Sequence, residues 1–288
     1  MSNTFKKQLL LILAGVFVGV LIYLAPRGIE AEETIISDAE TTSPESNDHE
    51  GHDHAEEVEG EAVKLNAEDQ KLFSELEENA EKIADIDTKL KLYDSLIQLS
   101  IKRNVPPLVA EYTEKKAMAV PTEVNWMLAG DNYFKAFRLS KQRPKKLISA
   151  AIDNYNKVLE LNSENLDAQT SIGVAYVEGA SQLGVMPMKG IGILKEVLNK
   201  DPENVNALTN LGYFAIQSGQ YEKAVERFKS VLSIDPQNAE AYIYLTDVYL
   251  SQNDIEKGIE TLEKYKSLVD DPLVKQQVDD YIKEIRNK

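Results

Sequence analysis

The chain of 288 residues contains no cysteine, so neither a disulfide framework nor a thiolate metal site is possible. Its three histidines all precede residue 55, which leaves the rest without the side chain most often used in acid–base catalysis. No phosphate loop or dinucleotide fingerprint occurs, and Gly190-Ile191-Gly192 has no preceding strand. These absences predict a protein that is not an enzyme and that carries no cofactor.

Positive charge is also in deficit, since 48 acidic side chains against 32 basic ones give a net charge of -16. Nucleic acids attract basic surfaces, so we expect no nucleic-acid partner. Fifteen of the acidic side chains lie between Glu30 and Asp69, where Lys64 is the single cation, for a local charge of 1 − 15 = -14. Much of the acidity therefore belongs to one segment and says little about what the remainder binds.

Long apolar runs are scarce, and one stands near the start of the chain, from Leu9 to Leu24. With its immediate neighbours it would form a helix of about 27 Å, close to the roughly 30 Å of a bilayer's hydrocarbon core. Lys6 and Lys7 precede the run, so the positive-inside rule keeps the N-terminus in the cytoplasm. We therefore predict that residues 1–27 form a cytoplasmic tip and a transmembrane signal anchor.

This anchor places the protein in the inner (cytoplasmic) membrane as a single-pass protein, with its C-terminal domain in the periplasm. The alternative is a cleaved signal peptide, which has the same basic start and apolar stretch. Small residues at its cleavage site are poorly represented here, in the pairs Tyr23/Ala25 and Ile29/Ala31, and no lipobox cysteine is present.

Residues 28–65 are rich in Glu, Asp, Ser, Thr and Gly and poor in large apolar side chains, which predicts a disordered acidic linker. His49, His52 and His54 lie in this linker beside carboxylates, a set that suits Zn, Ni or Cu. The alternative is a solvated tether, extended by its own charge, in which these histidines bind nothing.

From Asn66, a predicted helix N-cap, apolar residues recur every three or four positions and predict helices as far as residue 120. The pattern breaks at Asn104–Pro107. Ala110 and Ala117 supply small residues after the break, so region 66–120 is predicted to be helical and to contain a degenerate repeat-like hairpin.

The C-terminal half is self-similar with a period of 34 residues. Leu211-Gly212 recurs as Leu245-Thr246, and Pro202 recurs as Pro236. Internal repetition at this period is typical of stacked helix–turn–helix units, none of which can bury its apolar face alone. The fold class predicted is all-α, a solenoid of antiparallel helix hairpins.

The segment from Trp126 to Tyr133 resembles the tetratricopeptide repeat signature, Trp-x2-Leu-Gly-x2-Tyr, with Ala129 in place of Leu. Similar signatures surround Gly173, Gly212 and Leu245. The resemblance implies that these residues pack in the core. It also implies the following organisation: four repeats over 123–271 (123–165, 166–204, 205–238 and 239–271) and a capping helix in 272–288.

The first two repeats exceed the usual length. Repeat one carries about nine extra residues around the basic stretch Lys141–Lys146, and repeat two about five within Gly179–Met188. Such insertions protrude at one edge of a solenoid, where they either form a contact surface or fold back on their own hairpin.

In this family the first helix of each repeat lines a concave groove that holds a polypeptide. The resemblance implies that the following side chains bind a protein or peptide partner: Met127, Asp131, Thr170, Val174, Asn206, Thr209, Tyr213, Ile216 and Asp247. Asn210 occupies the asparagine position of the family's carboxylate clamp, but no basic side chain accompanies it at groove positions in repeats two to four. An apolar floor with scattered carboxylates instead favours a segment with apolar anchors and some positive charge.

The sequence therefore predicts a membrane-tethered scaffold or adaptor that binds a polypeptide through its repeat groove. Two alternatives remain open. The layout is similar to that of membrane-linked tetratricopeptide repeat proteins of cytochrome c maturation, which hold an apoprotein, and the histidine-bearing linker suits metal binding or delivery. The sequence does not reveal the oligomeric state.

Overall fold

The computed structural model describes residues 65–287. The predicted anchor, the linker up to residue 64 and the three histidines lie outside the described residues. Within residues 65–287 the chain is helical throughout and contains no strand, so the predicted all-α class is confirmed for this part. None of the helices in this range combines the length and the low polarity needed to cross a bilayer.

Thirteen helices follow one another over the described residues. The first three are α1 (Ala67–Lys82), α2 (Ile86–Lys102) and α3 (Pro106–Ala119). Four hairpins and a final helix come next: α4 (Glu123–Leu139) with α5 (Lys145–Leu161), α6 (Leu166–Glu178) with α8 (Met188–Lys200), α9 (Val205–Gln217) with α10 (Tyr221–Ile234), α11 (Ala239–Ser251) with α12 (Ile255–Leu268), and then α13 (Pro272–Arg286). The short α7 (Ala180–Leu183) lies within the second hairpin.

The first three helices join the stack directly, because α3 packs along α4. Polar side chains fasten this contact. Glu114 of α3 accepts hydrogen bonds from the Tyr133 hydroxyl at 2.7 Å and from Asn154 Nδ2 at 2.9 Å. Thr113 Oγ1 accepts another from Asn132 Nδ2 at 3.1 Å. The N-terminal helices and the first hairpin are therefore one packed body.

Signature glycines explain how each hairpin closes. A Cβ atom on Gly130 would lie 2.5 Å from the Tyr155 ring, and one on Gly212 would lie 2.7 Å from the Phe228 ring. No side chain fits at either place, so the two helices approach until an aromatic ring touches backbone. Tyr155 and Phe228 are almost completely buried. The expectation that the signature residues form the core is confirmed here.

The turns between repeats use one recurring arrangement of hydrogen bonds. Asp201 ends α8, and its carboxylate accepts from Glu203 N while its carbonyl accepts from Asn204 N. Asn204 then caps α9 by accepting from Ala207 N at 2.9 Å. The same bonds recur one repeat later, where Asn238 accepts from Ala241 N at 2.9 Å. Because Pro202 and its counterpart follow the end of each second helix, the chain turns there.

The first hairpin is longer than the others. Helices α4 and α5 contain 17 residues each, whereas α9 and α10 contain 13 and 14. The predicted insertion is therefore built as an extra helical turn on each side of residues 140–144, which stand about 6 Å beyond a hairpin of ordinary length.

The second hairpin accommodates its insertion differently. Leu183 of α7 packs back onto the core around Leu147 and Ile148, while Met186 and Met188 remain 73% and 58% exposed. The fold-back interpretation therefore holds for Leu183, while a contact surface at the exposed methionines stays a prediction.

Helix α13 closes the stack by packing on α12. Its buried residues are Val278, Tyr281, Ile282 and Ile285, and most of its other side chains are polar. A terminal helix with one polar face shields the last apolar surface of a repeat array from water.

Candidate functional site

The first helices of the hairpins, α4, α6, α9 and α11, form a surface that we call the inner face. Helix α6 contacts α9, and α9 contacts α11. In a stack of helix hairpins, this succession of first helices lines the concave side. The inner face is therefore the place to look for a binding site.

The predicted groove residues fall into three groups by exposure. Asp131 and Asn206 are exposed. Five are half-buried: Met127, Thr209, Tyr213, Ile216 and Asp247. Thr170 and Val174 are buried, at 1% and 7% exposure, and present no surface to a ligand.

Large neighbours account for the burial of Val174. It belongs to a cluster with Leu211 and Phe214 of the third hairpin, and Phe134 of the first hairpin packs against the same cluster. Aromatic side chains from the hairpins on both sides therefore cover the middle of α6. Thr170, also on α6, has a buried hydroxyl without a hydrogen-bond partner among the described residues.

Arg138 is the residue that sequence reasoning missed. It lies on the extra turn of α4, four residues after Phe134, and its guanidinium carbon is 4.6 Å from the centre of that ring. Its Nε donates to Glu178 Oε2 at 3.0 Å, and its Nη2 donates to the other carboxylate oxygen. Arg138 also follows the predicted groove residue Asp131 by seven positions, two helical turns along the same face, and this spacing is the signal that could have found it.

The Arg138 cation lies among groups from all four hairpins. Burial is the largest single influence and disfavours the charge of Arg138, but the hydrogen bond and the charge of Glu178, together with the nearby tyrosines, outweigh it and raise the pKa of Arg138. The hydroxyls of Tyr213 and Tyr244 interact with the same charge. Arg138 is 42% exposed while surrounded by protein, the situation expected of a side chain inside a concave surface.

Aromatic rings make up the floor of the inner face beside Arg138. The rings of Tyr213 and Tyr244 are 5.9 Å apart, and Tyr244 stacks on Phe228 at 4.9 Å. Burial raises the pKa of Tyr244, and the nearby Glu240 carboxylate raises it further. Aromatic rings in such arrangements offer both apolar area and a face that attracts cations.

Carboxylates on the inner face are poorly compensated. Asp131 is accessible to solvent, but the protein around its carboxylate partly desolvates it and raises the pKa of Asp131, although Asp131 Oδ1 accepts a hydrogen bond from the Tyr155 hydroxyl at 2.9 Å. Burial also raises the pKa of Asp247. Neither carboxylate has a Lys or Arg partner among the described residues. The inner face therefore holds two carboxylates whose negative charge a cationic ligand would stabilise.

The structure does not assemble a carboxylate clamp at Asn210. Its Nδ2 donates to the Asn206 carbonyl and to Asn206 Oδ1, at 2.9 and 2.8 Å, so both donors are engaged within α9. Among residues 65–287, no group of three or more His, Asp or Glu side chains is arranged to hold a metal ion. The candidate ligands His49, His52 and His54 are outside that range.

Comparison with known families identifies the repeats in the C-terminal part of the chain. Two sequence profiles match, both described as tetratricopeptide repeat, over residues 193–226 and 215–276. The matched residues span the end of the second hairpin, the third and fourth hairpins, and the start of α13. Residues 193–276 of the chain therefore match the tetratricopeptide repeat, in agreement with the signature residues, and repeats of this class commonly form scaffolds for protein–protein interaction.

Solved structures with a similar fold are distant in sequence. MamA from Desulfovibrio magneticus RS-1 is 18% identical, with 62% of this chain and 94% of that chain covered, at a TM-score of 0.43. YrrB, described as a TPR protein with an unusual peptide-binding site, is 20% identical, with 72% and 97% covered and a TM-score of 0.40. PilW, described as a type IV pilus biogenesis factor, is 16% identical, with 62% and 77% covered and a TM-score of 0.46. No curated protein sequence matches the chain.

Proposed function

We propose that this protein is a membrane-tethered scaffold whose inner face holds a polypeptide segment bearing positive charge and apolar side chains. The role is binding rather than chemistry. One observation carries the proposal: Asp131 and Asp247 have no Lys or Arg partner among the described residues, and they lie on the inner face on either side of an aromatic floor. Lys or Arg side chains of a ligand would supply the missing charge, while its apolar side chains cover the rings.

The position of Arg138 adds a requirement to this ligand. Its pairing with Glu178 neutralises both groups at the centre of the inner face. A ligand cation is therefore attracted to the two ends of this surface, near Asp131 and Asp247, and an apolar part is favoured between them over Tyr213 and Tyr244. The expected ligand is an extended or helical segment with separated cations.

A peptide-display selection on the full chain tests this expectation. We expect enrichment of segments that combine Lys or Arg with aromatic or aliphatic residues. The double variant Tyr213→Ala/Ile216→Ala should weaken binding of a selected peptide about tenfold or more, since two central side chains are truncated. The control Ile234→Ala alters a partly exposed residue on α10. Equal binding by both variants, or enrichment of acidic segments, would contradict the proposal.

The tether is the second part of the proposal. Its support is the apolar run from Leu9 to Leu24 with lysines before it, which favours a single-pass anchor in the inner membrane and repeats in the periplasm. N-terminal sequencing of the mature protein from membranes provides the test. We expect the native start to be retained. A mature chain beginning near Glu30 or Glu32 would instead establish a cleaved signal peptide.

A further inference from the structure

Cations are concentrated in one stretch of this acidic protein. Between Asp131 and Asp153 there are six basic side chains and no acidic one: Lys135, Arg138, Lys141, Arg143, Lys145 and Lys146. A second stretch, between Glu178 and Glu196, holds Lys189 and Lys195, again with no acidic residue. Both stretches include the turn that joins the two helices of a hairpin.

The structure brings these two turns together. A Cβ atom on Gly179 would lie 2.5 Å from Ile148, so the start of the second turn touches the start of α5. Leu183 packs onto the same part of α5. The turn at residues 140–144, with the two lysines that follow it, and the turn at residues 184–188 therefore lie beside each other at one edge of the stack. We call this the basic edge.

The cations of the basic edge are open to solvent. Lys141, Arg143, Lys145 and Lys146 are exposed, and over residues 65–287 none of them lies within ion-pair distance of a carboxylate. Arg143 adopts a positive φ of 45° within the turn. This turn projects farther than the others because α4 and α5 are each an extra turn long.

Exposed apolar side chains accompany this charge. Leu139, Met186 and Met188 are 60%, 73% and 58% exposed. Lys189, next to Met188, lies with its Nζ 3.7 Å from the centre of the Tyr176 ring. Methionine adapts its shape to soft or irregular surroundings. The basic edge thus combines exposed, adaptable apolar side chains with neighbouring lysine and arginine side chains.

The corresponding turns of the last two hairpins lack this character. The third turn is followed by Glu222, and the fourth contains Asp254, which pairs with Lys257 at 2.5 Å. Charge there is balanced within the turn. The basic edge is consequently a property of the first two hairpins and not of the repeat itself.

We propose that the basic edge rests on the surface of an anionic lipid bilayer. Its cations and methionines stand exposed on projecting turns, and a fluid surface of lipid headgroups requires no shaped pocket to receive them. Lys and Arg would lie at the phosphates and the methionines at the boundary with the acyl chains. Each cation near an anionic surface raises the partition coefficient about fivefold, so four of them together contribute roughly 600-fold. This surface is separate from the inner face, which stays open to a polypeptide.

The absence of cysteine makes a direct test possible, because a single introduced thiol is labelled uniquely. The full chain with Met186→Cys carries an environment-sensitive fluorophore and is reconstituted into phosphatidylcholine vesicles with or without phosphatidylglycerol. Gln220→Cys, in the corresponding turn of the third hairpin, is the control position. We expect severalfold higher emission from position 186 with phosphatidylglycerol, suppressed by high salt, and no change at position 220.

Two charge variants decide whether the basic edge causes the effect. One replaces its four cations (Lys141→Gln, Arg143→Gln, Lys145→Gln, Lys146→Gln), and the other makes the same net change elsewhere (Lys200→Gln, Lys223→Gln, Lys229→Gln, Lys264→Gln). Circular dichroism verifies that both variants are folded. Only the first variant should lose the emission change. Equal behaviour of the two variants, equal emission in neutral vesicles, or shielding of position 186 without vesicles, as contact with another protein segment would give, would overturn the proposal.

Discussion

Arg138 and Glu178 join the ends of the first helices of two successive hairpins through two parallel hydrogen bonds. The carboxylate side is the more buried, at 11% exposure against 42% for the arginine. Removal of the arginine alone therefore leaves the Glu178 carboxylate partly desolvated and without a cationic partner. Removal of both side chains leaves no such charge.

A double-mutant cycle measures this relationship. Arg138→Met should lower the free energy of unfolding by about 1–2 kcal/mol. This loss is smaller than for a fully buried ion pair, because solvent screens the partly exposed arginine. Arg138→Met/Glu178→Met should recover most of this loss. Urea denaturation followed by circular dichroism gives the values. Lys157→Met serves as control, since its pair with Glu160 is exposed and its loss should cost less than about 0.5 kcal/mol. An additive cycle would argue against coupling.

Substitution of glycine by alanine should change the stability of the protein in opposite directions at two positions. Gly212→Ala should destabilise by about 1–3 kcal/mol, because the new methyl group collides with the Phe228 ring. Gly192→Ala, within α8, meets no atom within 4 Å and should stabilise by about 0.5–1 kcal/mol through its helix propensity. Thermal denaturation of the two variants tests both. Similar shifts in the same direction would refute the assigned role of Gly212.

Two buried tyrosine hydroxyls should differ in what their removal does to stability. Tyr133→Phe removes the hydrogen bond to Glu114 and should cost about 1–2 kcal/mol. The Tyr281 hydroxyl is buried without a partner in the described part of the chain, and burial together with the nearby Asp247 raises the pKa of Tyr281 to about 12. Tyr281→Phe should therefore be neutral or stabilising by about 1 kcal/mol. Chemical denaturation ranks the two, and an equal loss from both would contradict this account.

The raised pKa of Asp247 makes stability depend on pH. Burial favours its protonated form in the folded state, so its contribution to stability is fully present below the pKa of the unfolded chain, about 3.9, and is lost as the pH rises through the folded pKa. Asp247→Asn should therefore be more stable than the natural chain at neutral pH and equal to it at low pH. Urea titrations at both pH values test this, with the exposed Asp153→Asn as control. A constant difference at all pH values would exclude the mechanism.

The sequence predicted the fold through features that act locally or repeat regularly. Asn66 caps α1 as expected, and the 34-residue period led to stacked hairpins because glycine and large side chains alternate at fixed spacing. The anchor and the histidine site stay predictions, since their residues are outside the described range.

The inner face was harder to anticipate, because it depends on neighbours from other hairpins. Regular repeat positions assign Val174 to the surface, but Phe134 and Phe214 cover it. The same positions overlook Arg138, because the first helix of a regular repeat has ended before that point. Local spacing predicts which way a side chain leaves its helix, but not what an adjacent helix of unusual length brings next to it.

The identical turns at Asp201–Asn204 and Asp235–Asn238 make the array extensible. Each turn satisfies its own backbone groups and offers the next helix the same starting asparagine. A second copy of residues 205–238 spliced after Asn238 would meet its neighbours through junctions the protein already contains. The inner face can thus be lengthened by whole repeats without any new type of loop. Duplication of a repeat would then let such a chain bind a longer polypeptide.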